Sequence, residues 1–159
     1  MNYLIPKIIE DLRGVIPQSD IRYYYFGRPV EVGDVIGING GVFVTPISSS
    51  IESATTGILD SVSETVEITV AKSFKTDINE NPKYEGSMEF MARLVDGRNE
   101  DGSRVASSIV SVIRKNFRGY GIRQPAVTID WEDNRFAKEG ISAVTIRVQQ
   151  ESLLNQEIN

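Results

Sequence analysis

Three carboxylates in the last quarter of the chain, Asp130, Glu132 and Asp133, are the residues best suited by type and spacing to do chemistry. Residues two apart on a strand share one face, so Asp130 and Glu132 are predicted to lie side by side, opposite Trp131. Paired carboxylates can hydrolyse a glycoside or hold magnesium. The same pattern is typical of a solvated strand face, which is the interpretation we favour.

Histidine and cysteine are both absent from the 159 residues of the chain. Their absence excludes imidazole acid–base chemistry, Ser-His-Asp and Cys-His triads, disulfides and thiolate metal sites. The sequence also holds no Ser-x-x-Lys motif and no phosphate-binding Gly-Lys-Ser/Thr loop. We therefore expect a protein that is not an enzyme, with no catalytic residue, no cofactor and no metal.

Two glycine-containing motifs invite ligand interpretations that their spacing contradicts. In the acidic turn 96–102, aligning Asp101 and Gly102 with a calcium loop places Gly97 where a carboxylate is required. The glycines at 37, 40 and 41 precede a strand-forming run and not a helix, so a dinucleotide site is not predicted.

The charge balance argues against free nucleic-acid binding. Seventeen basic and twenty-two acidic residues give a net charge of −5, whereas binding to DNA or RNA relies on phosphate neutralisation. The densest basic stretch, 114–118, is interpreted as the last turn of a helix, where cations favour the dipole. No signal peptide or membrane-spanning run is recognised, which predicts a soluble intracellular protein.

Hydrophobic periodicity predicts a single α+β domain over residues 1–150, followed by a loose C-terminal tail at 151–159. We expect an antiparallel or mixed sheet with helices packed on one face, plus a β-hairpin around Asn39-Gly40 and a long Ser/Thr-rich arm. The predicted elements are helices at 3–13, 84–95 and 103–117, with Ser103 as a cap, and strands at 21–26, 35–38, 42–45, 62–74 (one wet face), 126–133 and 141–150.

The arm begins where Pro46 is predicted to end a strand, and it fills most of 42–63. Residues 47–63 hold six serines, two threonines and one glycine. A structureless loop of this length is rare without a use, so its isolated aliphatic residues indicate a subunit contact, with a mobile surface loop as the alternative.

The strand Tyr23–Phe26 is predicted to be a core strand covered on both sides, with an aromatic partner surface as the alternative. The candidate interface residues are Ile47, Ile51, Ile58, Leu59 and Tyr24.

This order of elements resembles the tail terminator (tail completion) proteins of long-tailed bacteriophages over about residues 1–150. The residues that carry the likeness are the helix at 3–13, the strand 42–45 before Pro46, the Ser/Thr-rich arm, the strand 62–74, the helix 103–117 and the closing strands 126–133 and 141–149. The hairpin and the extra stretch at 84–102, read as an insertion, depart from the pattern and leave head-closure and minor tail proteins open as related alternatives.

The resemblance implies a homo-hexameric ring in the virion, assembled in the host cytoplasm, at the top of the tail. Such a ring caps the tail tube protein and meets the head–tail connector, and the tail sheath where one exists. Subunits of net charge −5 would let DNA pass through an acidic lumen without specific binding. No membrane contact is implied. A soluble binding module that docks through the aromatic strand or the hairpin edge is the other hypothesis.

Overall fold

The structure, a computed structural model, describes residues 4–28, 39–53, 58–73, 87–116, 125–133 and 141–155. Over these residues the elements in chain order are α1 (Leu4–Val15), β1 (Tyr23–Phe26), β2 (Gly41–Ser53), β3 (Leu59–Ser73), α2 (Ser87–Asp96), α3 (Ile109–Asn116), β4 (Ala126–Asp133) and β5 (Ile141–Asn155).

The strands form one mixed sheet in the order β1-β2-β3-β5-β4. β1 runs parallel to β2, and the other neighbouring pairs are antiparallel. The helices share a single hydrophobic core with one face of the sheet, called here the helix face; the opposite face is the outer face. The predicted α+β class, with helices on one face of a mixed sheet, is confirmed. The core residues from the three central strands are Val42, Val44, Val66, Ile68, Val70, Val144, Ile146 and Val148.

Helix α1 buries the stripe that its periodicity predicted, namely Leu4, Ile5, Ile8 and Leu12. Its predicted end at residue 13 is two residues too early, because the helix continues through Gly14 to Val15. Gly14 is exposed, and glycine in a last helical turn has only a modest cost. The chain leaves the helix before Pro17, which cannot continue it.

The predicted break between α2 and α3 is confirmed, but the predicted cap is wrong. Helix α3 begins after Ser108, whose hydroxyl accepts a hydrogen bond from the Ser111 N–H at 3.4 Å. Ser103 instead lies in the preceding turn, where its hydroxyl donates to Asp101 Oδ1 at 2.6 Å. Both serines precede an apolar run, so sequence spacing alone does not distinguish them.

The predicted hairpin around Asn39-Gly40 is wrong. Residues 35–38 lie outside the described residues, while residues 41–44 of β2 pair with β1 on one edge and with β3 on the other. Because both edges of this segment are occupied, Asn39-Gly40 does not turn one strand back onto the next. Gly40 has φ +70°, and it leads into β2 beside the chain that precedes β1.

The Ser/Thr-rich arm is largely strand, which corrects its prediction as a long structureless loop. β2 continues through Pro46 to Ser53, and β3 begins at Leu59 and pairs with it; residues 54–57 lie outside the described residues. A β-bulge between Pro46 and Ser48 accommodates the proline, which has no N–H to give to a ladder.

The prediction of a loose C-terminal tail is wrong for residues 151–155, which belong to β5. β5 pairs with β3 along its whole length, from Ile141 opposite Ser73 to Asn155 opposite Leu59; residues 156–159 lie outside the described residues. The prediction of one wet face on β3 also fails in its second half. There, Thr69 and Ala71 are buried on the outer face, Ala71 within a second small cluster containing Phe43, Ile141 and Ala143.

Candidate functional site

A three-stranded β-ribbon extends the sheet beyond the part on which the helices pack. We define the β-ribbon as residues 46–53 of β2, 59–66 of β3 and 148–155 of β5. Its strands are held by antiparallel register, with Ser63 opposite both Ser50 and Glu151. This regular pairing gives a serine-rich segment a fixed shape that serine's low strand preference would not supply.

The outer strand of the β-ribbon, residues 46–53, is exposed at every position. β1 pairs with β2 only as far as Val44, so among the described residues the edge of 46–53 has no neighbouring strand. Ile47 is 47% exposed and Ile51 65% exposed, and Ile58, close to the start of β3, is 72% exposed. An unprotected edge with exposed isoleucines is a feature that monomeric proteins usually avoid.

The bulge decides which way this edge presents its side chains. Before the bulge, Val42 and Val44 point to the helix face. After it, Ile51 lies opposite Val62, a residue of the helix face. Since side chains alternate along a strand, the extra residue at the bulge is what brings Ile51 to that face and leaves Glu52 on the outer face.

The other two predicted interface residues are less exposed. Leu59 is half-buried on the outer face, opposite Asn155. Tyr24 packs against the core, and its buried hydroxyl has no hydrogen-bond partner among the described residues. Burial raises the pKa of Tyr24 to about 12, although the nearby Arg13 guanidinium, 5.3 Å from the ring centre, opposes the rise. Ile47 and Ile51 therefore lie on the β-ribbon edge, Ile58 directly precedes β3, and Tyr24 does not join them.

The prediction that β1 is a core strand covered on both sides is wrong. β1 is an edge strand, and Tyr23, Tyr25 and Phe26 are all exposed. Tyr25 lies on the outer face with its ring 6.3 Å from that of Phe43, in an edge-on arrangement. The exposed rings of β1 form an aromatic edge, whereas hydrophobicity alone favours a core strand. The arginines on either side of it, Arg22 and Arg28, are the sequence signal that could have identified it as solvent-facing.

A shallow groove of about 510 Å³ lies beside β1, between the strand end and α1. Phe26 forms one wall, and Ile9 and Arg13 of α1 are among the residues of the other. Arg13 and Arg22 lie over the rings of Tyr24 and Tyr23, which fixes two cations beside the aromatic edge.

Lys72 anchors the chain that leads into β1. Its ammonium group, buried beside the ring of Phe90, donates to the carbonyl oxygens of Asp20 at 3.0 Å and Ser19 at 3.4 Å. Arg93 binds the carboxylate of Asp20 from the other side at 3.2 Å. Both cations hold the turn before β1, so the aromatic edge has a fixed position relative to the sheet. No sequence motif predicted this role.

The β-ribbon and the β1 edge differ in charge. The three β-ribbon segments contain Glu52, Asp60, Glu64 and Glu151 and no lysine or arginine. The segment 21–28 contains Arg22 and Arg28 and no acidic residue. Of these carboxylates, Glu52 lies exposed on the edge strand, whereas Glu64 is buried. One chain therefore carries an edge with an exposed carboxylate and an aromatic edge flanked by two exposed arginines.

The carboxylates considered for chemistry form no enclosed site. Asp130 and Glu132 are exposed, and Asp130 Oδ1 accepts a hydrogen bond from the Glu132 N–H at 3.1 Å where β4 shifts register. In the turn at 97–108, hydrogen bonds from Ser103 lower the pKa of Asp101, and Asp96 binds Arg98 and Arg104. Within the described parts of the chain, no group of carboxylates is arranged to hold a metal ion.

Comparisons with known proteins add no relative. The sequence matches no protein-family model and no curated protein. Among the described residues, no helix has the length and apolar character needed to cross a membrane.

Proposed function

We propose that the protein is a structural component of a phage virion that forms a homo-oligomeric ring, hexameric in the tail terminator family it resembles. In this role the ring ends the tail tube and joins the tail to the head connector, with the sheath as a further partner where one exists. It works by binding and shape. A related neck or minor tail protein, such as a head-closure protein, is the nearest alternative role.

The observation that carries the proposal is the exposed edge of the β-ribbon. Ile47 and Ile51 lie on a strand edge that has no partner among the described residues, and Ile58 lies close by. Burying the exposed area of such side chains contributes roughly 25 cal/mol per Å², which favours assembly once the contact repeats around a ring. A ring also requires two different surfaces on each subunit, and the basic β1 edge supplies a second one.

The test is the mass of the purified protein by light scattering, together with negative-stain microscopy for rings. The double variant Ile47→Asp/Ile51→Asp is expected to lose assembly while its circular dichroism and thermal unfolding stay close to those of the parent, since both side chains are exposed.

The control is Met88→Asp, which places a new carboxylate at an exposed apolar residue of α2. This variant is expected to assemble like the parent chain. A monomeric parent at high concentration, or normal assembly of the isoleucine variant, contradicts the proposal.

A second candidate function is a monomeric binding module whose β1 edge takes up an extended peptide of another protein. The exposure of Tyr23, Tyr25 and Phe26 favours it. Under this alternative, the purified chain stays monomeric and Tyr23→Ala reduces peptide binding, whereas Ile51→Asp has no effect on it.

A further inference from the structure

We propose that the outer edge of the β-ribbon of one copy, residues 46–53, docks onto the β1 edge and the adjoining α1 groove of the next copy. This inference rests on the ring proposed above and names the two surfaces that the ring contact joins. Each copy then donates its β-ribbon on one side and receives one on the other, which is the head-to-tail contact that a closed ring requires.

The apolar groups of the two surfaces are complementary. The donor presents Ile47 and Ile51, each about half exposed or more, and the receiver presents Phe26 with the groove against α1. Ile51 and Phe26 belong to the same face of the sheet, since Ile51 lies opposite Val62 and Phe26 opposite Val44. A shallow groove beside an aromatic wall accommodates a branched aliphatic side chain and excludes water from it.

Main-chain hydrogen bonds between the two strand edges are the second part of the contact. Over the described residues, the outer edges of β1 and of residues 46–53 have no strand partner. Strand addition satisfies such edges with backbone hydrogen bonds and leaves the alternating side chains to provide specificity.

Charge selects this pairing over its alternatives. Two β-ribbon edges brought together would bring the exposed Glu52 of each copy towards that of the other. Two β1 edges would bring Arg22 and Arg28 together in the same way. Only the β-ribbon against the β1 edge joins opposite charges, and like-charge contacts select strongly against wrong partners.

One chain cannot make this contact with itself. Phe26 pairs with Val44, and Ile51 lies seven positions further along the same strand, which separates them by about 23 Å. A disulfide needs Cα atoms within about 7 Å. A bond between cysteines placed at these two positions therefore joins two copies.

The experiment uses the full chain, which contains no native cysteine. The double variant Ile51→Cys/Phe26→Cys is mixed under mild oxidation and separated on a denaturing gel without reductant. We expect a ladder of covalent species that ends at the ring size, with roughly ten-fold more product than Ile51→Cys/Thr128→Cys, because the ring raises the effective thiol concentration. Thr128 is exposed on β4, at the far edge of the sheet from β1.

The two single variants test whether the contact joins two different surfaces. Ile51→Cys mixed with Phe26→Cys is expected to give dimers only, and each single variant alone is expected to give none. Thermal unfolding of each variant shows whether it is folded, and Ile47→Cys/Tyr23→Cys provides a second pair at exposed positions.

The remaining outcomes overturn the inference in distinguishable ways. Rings in the microscope without a ladder from either pair contradict this contact and leave the ring proposal standing. Products from the double variant that stop at dimers show a two-fold pair, and dimers from Ile51→Cys alone show β-ribbon against β-ribbon; both contradict the contact. A parent chain that is monomeric by light scattering removes the ring and this inference together.

Discussion

The hydroxyl group of Tyr24 is a buried polar group that is expected to lower the stability of the fold. Its oxygen is buried without a hydrogen-bond partner among the described residues, and an unsatisfied buried polar group costs about 1–3 kcal/mol. Tyr24→Phe removes the oxygen and keeps the ring packed on the core. We therefore expect the variant at neutral pH to be as stable as the parent chain or up to about 1 kcal/mol more stable, as measured by denaturant unfolding.

The same side chain predicts a pH dependence with a defined sign. Burial raises the pKa of Tyr24 from 10.0 to about 12. Since the folded pKa lies above the unfolded one, its contribution to stability is complete below pH 10.0 and is lost as the pH rises towards about 12. The free energy of unfolding of the parent chain should fall relative to Tyr24→Phe over this window. Tyr23→Phe, which alters an exposed side chain, is the control, and parallel curves for the parent and Tyr24→Phe would contradict the prediction.

Gly40 is the residue at which both backbone and space demand glycine. Its φ is +70°, and a Cβ there would lie 2.8 Å from Cδ1 of Ile21 and 3.0 Å from the Asp20 oxygen. Gly40→Ala should destabilise the fold by about 2–4 kcal/mol, through backbone strain and through crowding against the Ile21 side chain and the Asp20 carbonyl. Gly102→Ala is the matched control, because Gly102 has φ +83° with nothing within 4 Å. It should cost only the backbone part, about 1–2 kcal/mol, so equal losses in thermal unfolding would contradict the steric argument.

At the scale of the elements, the β-ribbon can be shortened with the loss only of the pairing between β3 and residues 152–155 of β5. Ser50 and Ser63 lie opposite each other, so replacing residues 51–62 by Asn-Gly closes the strands with a two-residue turn that suits their twist. The helices pack on the strands at the other end of the sheet, in the core formed by Val42, Ile68 and their neighbours. We expect the shortened chain to fold and to stay monomeric by light scattering.

The control for this change leaves both strands at their full length. Replacing residues 54–57 by Gly-Ser-Gly-Ser leaves Ile51 and Ile58 in place and should preserve assembly. A shortened chain that still assembles would contradict the role given to the β-ribbon, and circular dichroism with the cooperativity of unfolding shows whether it has kept its fold.

Local patterns predicted most elements because their information is local. α1, the strand β4 and the part of β5 up to residue 150 follow from apolar spacing over a dozen residues or fewer. The strand at 46–53 escaped prediction because serine and proline disfavour strands, and its shape comes from pairing with β3, a contact that the preferences of single residues do not contain. The parallel pairing of β1 is likewise non-local.

The candidate site was predicted only in part, because local sequence patterns do not show which strand lies at the edge of a sheet. Isolated aliphatic residues such as Ile51 and Ile58 in a polar segment indicated a covered surface from sequence alone, and the structure places them at an exposed edge. The aromatic run in β1 was interpreted as core because hydrophobicity does not show whether a strand is central or at an edge. That distinction depends on which strands flank it, and only the assembled sheet provides it.

At the scale of the whole molecule, the separation of charge between the two edges predicts how assembly responds to salt. Glu52 is exposed on the β-ribbon, and Arg22 and Arg28 are exposed beside β1. The screening length falls from about 8 Å at physiological ionic strength to about 3 Å at 1 M. Association measured by light scattering should therefore weaken as sodium chloride is raised. A purely apolar contact would instead hold or strengthen, above all in sulfate.

Charge reversal gives the same argument a residue-level test. Glu52→Arg alone, or Arg22→Glu/Arg28→Glu alone, creates like-charge contacts between copies and should weaken association by about ten-fold. Combining the reversals restores opposite charges and should recover most of the loss, because coupled residues are not additive. Glu132→Arg, an exposed reversal on β4 at the far edge of the sheet, is the control and should leave association unchanged. If the loss of association in the combined variant equals the sum of the losses in the two separate reversal variants, the charges act independently and the two edges do not meet.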